Sequence, residues 1–257
     1  MDPATIGGIV LAFGALVAMI FLEGSQLTSI LLPAPIILVL GASIFVAVAS
    51  GTLKDALQAV KALPRAFVGR PARPAEAIDE VVHAAEIVQN DGGLLALEAE
   101  SQRTEDPFQR SALQSLADGA DADQLRTLLE ERIETKARED AVAYGFFNAV
   151  GGYAPTIGIV GTVVSLTHVL ENLSEPAQLG HMIAAAFIAT LWGILSANFV
   201  WLPIGAKLKR VSDLEVERLT LLLEGYMSIQ AGARPRVIDE RLRTMVPDEP
   251  APAAKAA

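Results

Sequence analysis

Cysteine is absent from the 257 residues, which excludes a disulfide framework, a thiolate metal site and a cysteine nucleophile. Histidine is scarce: His83, His168 and His181 are scattered, with no H-E-x-x-H spacing of the kind that holds zinc on a helix. A basic footprint is missing as well. The formal net charge is −10, which removes the usual electrostatic basis for nucleic-acid binding. No segment carries a strand signal of any weight. The opening M-D-P-A-T holds an acid and lacks a basic stretch and a small-residue cleavage site, so it does not read as a secretory signal. The absence with the widest consequence is internal. Four apolar runs, 6–22, 30–49, 146–170 and 182–204, contain no Asp, Glu, Lys or Arg.

What is present is apolar sequence in excess of an ordinary soluble domain: 52% hydrophobic residues and a mean hydropathy of +0.41. At about 1.5 Å per residue each run is long enough for a hydrocarbon core roughly 30 Å thick, the first with its flanks included. Pro33 and Pro35 stand at the start of the second run, where a helix tolerates them. The two short connections carry Glu23, Glu171 and Glu175 and no cation. Lys54, Lys61, Arg65, Arg70 and Arg73 follow the second run, and Lys207, Lys209 and Arg210 follow the fourth. By the positive-inside rule both termini and the long middle segment are cytoplasmic, and both short loops face outward. The predicted fold is therefore all-α: four transmembrane helices with a helical cytoplasmic domain inserted between helices two and three. Its divisions are 1–49 (spans one and two), 50–144 (cytoplasmic helices), 145–204 (spans three and four) and 205–257 (cytoplasmic helices and a disordered tail).

Within the middle segment Leu53, Ala56, Leu57, Val60 and Leu63 keep helical spacing until Pro64, which is expected to break the helix. A second helix carries Ile78, Val81, Val82, Ala85 and Val88 up to Asp91-Gly92-Gly93. A third carries Leu94, Leu95 and Leu97 with Glu98 and Glu100, and Pro107 opens a fourth that ends near Asp118-Gly119. Asp121 or Asp123 caps a fifth, which continues into the third span. After the fourth span, 207–229 is amphipathic, Pro235 starts a short helix, and the final P-D-E-P-A-P-A-A-K-A-A reads as disordered.

The stretch that organises the rest is 151–170, G-G-Y-A-P-T-I-G-I-V-G-T-V-V-S-L-T-H-V-L. On a helix, Pro155, Gly158, Thr162 and Ser165 share one small, hydroxylated face. Ile159, Val160, Val163, Val164 and Leu166 form the opposite one, suited to lipid. Span four answers with Ala186, Thr190, Gly193 and Ala197, and Asn198 beside them. Such stripes serve close helix packing or line a narrow wet path, and both readings stand at this stage. Pro155 opens span three and Pro203 closes span four on the same membrane side, as hinges or as plain helix ends. A proton-moving channel usually needs an ionisable group inside the membrane. None is present, and His168 sits at an outer end, so either no ion crosses or a partner chain brings the carboxylate.

These residues carry a resemblance. A-P-T-I-G-I-V-G-T-V-V-S-L and A-T-L-W-G-I-L-S-A-N-F-V-W-L-P-I-G-A-K-L are similar to the third and fourth spans of the MotA family of flagellar stator subunits, whose sodium-driven branch is PomA. So are the opening M-D-P-A-T-I-G-G-I-V, G-A-S-I-F-V in span two, G-G-L-L-A-L-E, and the terminal I-Q-A-G-A-R-P-R-V-I-D-E-R-L, which the wider ExbB/TolQ relatives lack. The resemblance implies an inner-membrane protein without cofactors and without enzymatic activity. It implies a ring of five copies around two single-span MotB-type partners, whose aspartate binds the transported H+ or Na+, and a rotor contact with FliG. Carried over by motif, Pro155 and Pro203 couple ion flow to movement, Thr162 and Thr190 lie near the ion path, and Glu98 meets the rotor. The sequence departs from the family in two places. Gln89-Asn90-Asp91 stands where many members have a base, and Ala189-Thr190 where sodium-type members carry Thr-Thr. The ion therefore stays open between H+ and Na+. A competing reading keeps the architecture but energises an envelope protein, in the manner of ExbB/TolQ. Four spans and the C-terminal motif weigh against it. A catalytic use of Ser165 or Thr162 has no base within reach in any span.

Overall fold

The computed structural model describes residues 3–68, 73–90, 92–171 and 176–247. Arg70, Asp91, Glu175 and the segment read as disordered, apart from Pro247, lie outside these, as does the side chain of His181. Among the described residues the chain is helical throughout and has no strand.

The first apolar run is α1 (Pro3–Leu22). The second is α2 (Pro33–Ala49), preceded by a 3-10 turn at Leu27–Ile30 and widened to a π turn at Ile37–Gly41. Among the described residues three helices are long and apolar enough to cross a membrane, and α2 is a shorter apolar one. Its length sits at the lower end of the roughly 17–25 residues a span uses. Helix α3 (Leu53–Val68) follows, then α4 (Pro74–Asn90), a 3-10 turn at Leu94–Ala96, α5 (Leu97–Arg103) and α6 (Pro107–Ala117). The third run is the distal part of α7 (Ala122–Glu171), a single helix of 50 residues. The fourth comprises α8 (Pro176–Ser196), a π turn at Ala197–Trp201 and the start of α9 (Leu202–Gln230). Helix α10 is Pro235–Arg243.

Several ends follow expected chemistry. Asp106 caps α6 by accepting the Phe108 N–H at 2.8 Å. Of the two candidates ahead of α7, Asp121 is the cap, accepting the Asp123 N–H at 3.0 Å. Gly92 and Gly93 carry φ of 96° and 101°, a backbone that side chains rarely adopt, and so α4 stops where the sequence placed its end.

One expectation is corrected, and two further points are added. Pro64 does not break α3, which runs on to Val68; the Val60 that precedes the ring by one turn is exposed, so the carbonyl left without a partner can meet solvent or headgroups. The buried face of α3 is built from Ala56, Ala59, Ala62 and Ala66, while Leu53, Leu57 and Val60 point outward. The prolines are not helix ends: Pro155 is internal to α7 and Pro203 is in the first turn of a helix continuous with the π turn before it. Leu202 N–H donates to the Ala197 carbonyl, five residues back. Pro203 has no N–H to give to the turn before it, and the helix is widened in that turn.

The described residues fall into two compact units, 1–70 with 139–211, and 71–138 with 212–257. The first contains all the apolar runs. Its small core joins Ala59, Ala62 and Ala66 to Ala143, Phe147, Ile204 and Leu208. The second has a larger core of leucines with Ile78, Val81, Ile238 and Tyr226. Beside that core Arg218 pairs with Asp106 at 2.8 Å, Glu215 at 3.1 Å and Glu80 at 3.4 Å. Burial works against the guanidinium charge. The Asp106 hydrogen bond and the three surrounding carboxylates outweigh it and hold the Arg218 pKa above its ordinary value. Burial lifts Glu80 above the usual carboxylate range, against the pull of Arg218.

Candidate ion-coupling site

The sequence placed two small stripes on two spans, and the structure brings them into contact. Distal α7 and α8 run antiparallel, with glycines where the backbones come closest. A methyl group on Gly193 would lie 2.7 Å from the Ala154 carbonyl oxygen and 3.2 Å from the Pro155 Cα. One on Gly158 would lie 2.8 Å from the Ala189 carbonyl oxygen. Only glycine permits this approach, and so Pro155 sits directly against the opposite helix at its narrowest point. The bulky face of α7 behaves as predicted, with Ile159, Val160, Val163, Val164 and Leu166 exposed.

One turn beyond Gly158, Thr162 and Thr190 meet with their hydroxyl oxygens 2.6 Å apart. Thr162 Oγ1 also lies 2.9 Å from the Ala186 carbonyl and 3.1 Å from that of Gly158. Thr162 has one proton to give. With that proton on a carbonyl, Thr190 donates to Thr162, and both hydroxyls are satisfied. The result is a cluster of four oxygens between two helices that carry no charged residue over this length. Among the described residues no group of three or more His, Asp or Glu is placed to hold a metal. The cluster can solvate a passing cation or hold water, but it has no group that exchanges a proton near neutral pH.

Pro203 does not join this cluster. It lines a groove of about 460 Å³ against α1, with Thr5, Gly8, Ile9, Ala12, Asn198, Phe199 and Lys207. A second hollow of about 420 Å³ links Thr190 and Leu191 to Asn198, Phe199 and Leu16. Asn198 and Phe199 belong to both, and they lie on the π turn. Phe199 packs edge-on against Phe13 at 5.5 Å between centroids. Sequence reasoning missed this turn and its groove with α1; the one available signal was Pro203 inside an apolar stretch that otherwise keeps helical spacing. It also missed the Trp192 Nε1–H bond to the Ile30 carbonyl at 2.7 Å, which ties α8 to the turn ahead of α2.

Glu98 belongs to the other unit, in the first turn of α5. Its side chain is exposed, while Glu100 faces inward by half and pairs with Arg103 at 3.7 Å. The two acids therefore point apart, as their spacing predicts, and Glu98 is the one presented to solvent. Leu95 beside it is also exposed.

Comparison with known proteins gives one consistent result. The sequence profile of the MotA/TolQ/ExbB proton channel family matches residues 100–220. Motility protein A of Bacillus subtilis (strain 168) is 32% identical over 252 residues, covering 96% of this chain and 92% of that protein. Chemotaxis protein PomA of Vibrio alginolyticus is 33% identical over 243 residues, covering 95% of this chain and 94% of its own length. Among solved structures, MotAB of C. jejuni superposes with a TM-score of 0.93 at 28% identity over 100% of both chains. The flagellar MotAB stator complex from Bacillus subtilis superposes at 0.87 with 31% identity, covering 95% of this chain and 96% of that one.

Proposed function

The chain belongs to the motility protein A branch of the MotA/TolQ/ExbB proton channel family and is a flagellar motor stator subunit of the inner membrane; from that premise we propose that it works only with a second chain that supplies the ion-binding carboxylate. The observation that carries this reading is the pairing of the Thr162–Thr190 oxygen cluster with helix segments, 146–170 and 182–204, devoid of Asp, Glu, Lys and Arg. The two solved relatives are MotAB assemblies, and the partner proposed here is a MotB-type single-span protein with an intramembrane aspartate. Five copies of this chain surround two of that partner. The transported ion is H+ or Na+, and its passage past Thr162 and Thr190 lets the partner's aspartate load and unload.

The positions of the remaining residues support the roles proposed for them. Pro155 lies at the tightest helix contact and Pro203 beside the π turn, so each marks a place where a missing N–H permits the backbone to bend. They convert ion movement into rotation of the ring. Glu98, solvent-facing on α5, meets the rotor protein FliG. Residues 50–144 and 205–257 and both termini are cytoplasmic, and 1–49 and 145–204 carry the spans, in keeping with the distribution of Lys and Arg.

A liposome experiment tests the borrowed carboxylate. Moving one charge through the membrane potential is worth roughly 2.3 kcal/mol per 100 mV, ample drive if a path exists. Reconstituted alone, the chain should leave an imposed pH gradient intact; co-reconstituted with a MotB-type partner, it should collapse the gradient or take up sodium. Robust ion flux through the chain by itself would end this reading.

A further inference from the structure

Helix α5 is too short to hold its own place. It has 7 residues, set between Gly92-Gly93 with their positive φ and a link at Thr104 to Asp106 that leaves helical geometry. Leu97 and Ser101 turn inward and anchor it. Further support comes from α6. Ser101 Oγ lies 2.8 Å from the Glu98 carbonyl and 3.0 Å from Gln114 Oε1, and Thr104 Oγ1–H donates to Gln109 Oε1 at 3.0 Å. Arg110 closes the link by donating to the Thr104 carbonyl at 2.7 Å. Glu98 is therefore carried by α6, and it faces whichever way α6 sets it.

The first turn of α6 is tied in turn to two other helices. Asp106 divides its oxygens. Its Oδ1 accepts the Phe108 N–H as the cap, and its Oδ2 accepts from Arg218 of α9 at 2.8 Å. Gln109, buried, donates to Glu80 of α4, which also takes Arg218 at 3.4 Å. Arg218 further holds Glu215 of its own helix at 3.1 Å. One guanidinium thus meets carboxylates from three helices. Its planar fork suits that task, where an ammonium would act as a point charge without fixed directions. The apolar core beside it opposes separation of the helices, but that force has no direction. Hydrogen bonds from a rigid fork do have one, and they set the angle at which α6 meets α9. Helix α9 is also the one that begins at Leu202, directly after the π turn, and continues unbroken to Gln230. A roll of α9 therefore reaches α6 through Arg218, and through α6 it reaches Glu98.

We propose that Arg218 is a positioning residue for force transfer: it fixes the first turn of α6 on α9, and so holds α5 with Glu98 at a constant bearing under load. This rests on the reading of Glu98 as the rotor contact. The ion path is untouched by it, and so conduction and rotation become separable.

Asp106→Asn and Asp106→Ser each keep an oxygen that caps α6 and remove the anionic acceptor of Arg218. Arg218→Lys keeps the charge and removes the fork. All three chains should stay folded, and with the MotB-type partner their ion flux in liposomes should match the parent. Stall torque, read from a bead on a flagellar stub in cells with the cognate rotor, should fall severalfold. The chain has no cysteine, so nitroxides at Glu98→Cys and Thr220→Cys report the bearing of α5 against α9, in labelled chain diluted with unlabelled copies. The 98–220 distance distribution should be narrow in the parent and clearly broader in the Asp106 variants. Arg236→Gln, which opens an exposed pair with Glu240, should alter neither torque nor width. Unchanged torque in the Asp106 variants overturns the proposal, as does a torque loss without broadening. Loss of flux or of the fold in step with torque overturns it too, because the cluster would then be a structural tie alone. If Glu98→Lys turns the rotor normally, the rotor contact itself fails, an outcome distinct from a clamp that fails while Glu98→Lys stalls the motor.

Discussion

The two compact units are held together by opposite means. In the unit of apolar helices, the closest contacts, those between α7 and the fourth run, are made by the smallest residues: Gly158, Gly193, Ala154, Ala186, Ala197 and a threonine pair. The large residues Ile159, Val163 and Phe187 face outward. In the other unit Leu97, Leu116, Leu125, Leu129, Leu222 and Tyr226 are fully buried. The difference comes from the surroundings. In water a leucine gains by leaving the solvent, and so the largest apolar side chains turn inward. In lipid the surroundings are as apolar as leucine itself. What remains to favour association is close backbone packing and the pairing of the few hydroxyls.

The comparison breaks if the two units answer size changes alike. Leu222→Ala, at a position with no exposure, should cost about 2–5 kcal/mol and lower the thermal unfolding midpoint measured in detergent. Among the apolar helices the damage should come from enlargement. Gly193→Leu has no room beside Ala154 and should cost about 1–3 kcal/mol with loss of motility, whereas Ile159→Ala on the outward face should stay within about 0.5 kcal/mol. Equal tolerance of Gly193→Leu and Ile159→Ala would remove the argument from packing.

Two smaller effects sharpen the description of the second unit. Glu80 has a raised pKa in the folded chain, so the fold binds its proton more tightly than the unfolded chain does. Its contribution to stability is present below the ordinary carboxylate range and is lost as pH rises through the raised value. Glu80→Gln should flatten that part of the stability–pH curve. At neutral pH it should shift stability by no more than about 1 kcal/mol, because the carboxylate is 40% exposed and Arg218 keeps Asp106 and Glu215. An unchanged slope would mean that Glu80 does not titrate differently in the folded chain. Smallest in stability and largest in function, Glu98→Lys should leave unfolding unchanged while motility in soft agar drops sharply. Recovery is expected from a compensating charge reversal on the rotor protein, and normal swimming would move the rotor contact elsewhere.

Much of this was legible in the sequence because it depends on composition and period. The four charge-free runs, the stripe from Pro155 to Ser165 and its partner from Ala186 to Ala197 needed only helical spacing. What escaped depends on register between elements. Two small stripes announce that helices meet, but nothing local says that Thr162 will stand opposite Thr190. Which face of α3 turns inward was not legible for a related reason. Its apolar spacing is that of a helix, but spacing alone does not say that Ala59, Ala62 and Ala66 face the core while Leu57 and Val60 face outward. Pro64 and Pro203 look like stops because proline removes an N–H, yet a helix continues past one wherever the orphaned carbonyl is exposed or the turn is widened.

That widened turn at Ala197–Trp201 has a consequence for angular phase. Gly205 follows Gly193 by twelve residues, which on an uninterrupted α-helix would set them about 120° apart. Yet both glycines press on α7, Gly193 at Ala154 and Gly205 at Asn148 and Tyr144. A π turn absorbs one extra residue, so the effective separation is about three whole turns and the two glycines come back into line. The turn thus acts as a phase corrector that keeps one face of a long helix on a single neighbour. Were it to relax to α geometry, everything after it would swing by about 100° relative to α7 without any change in sequence.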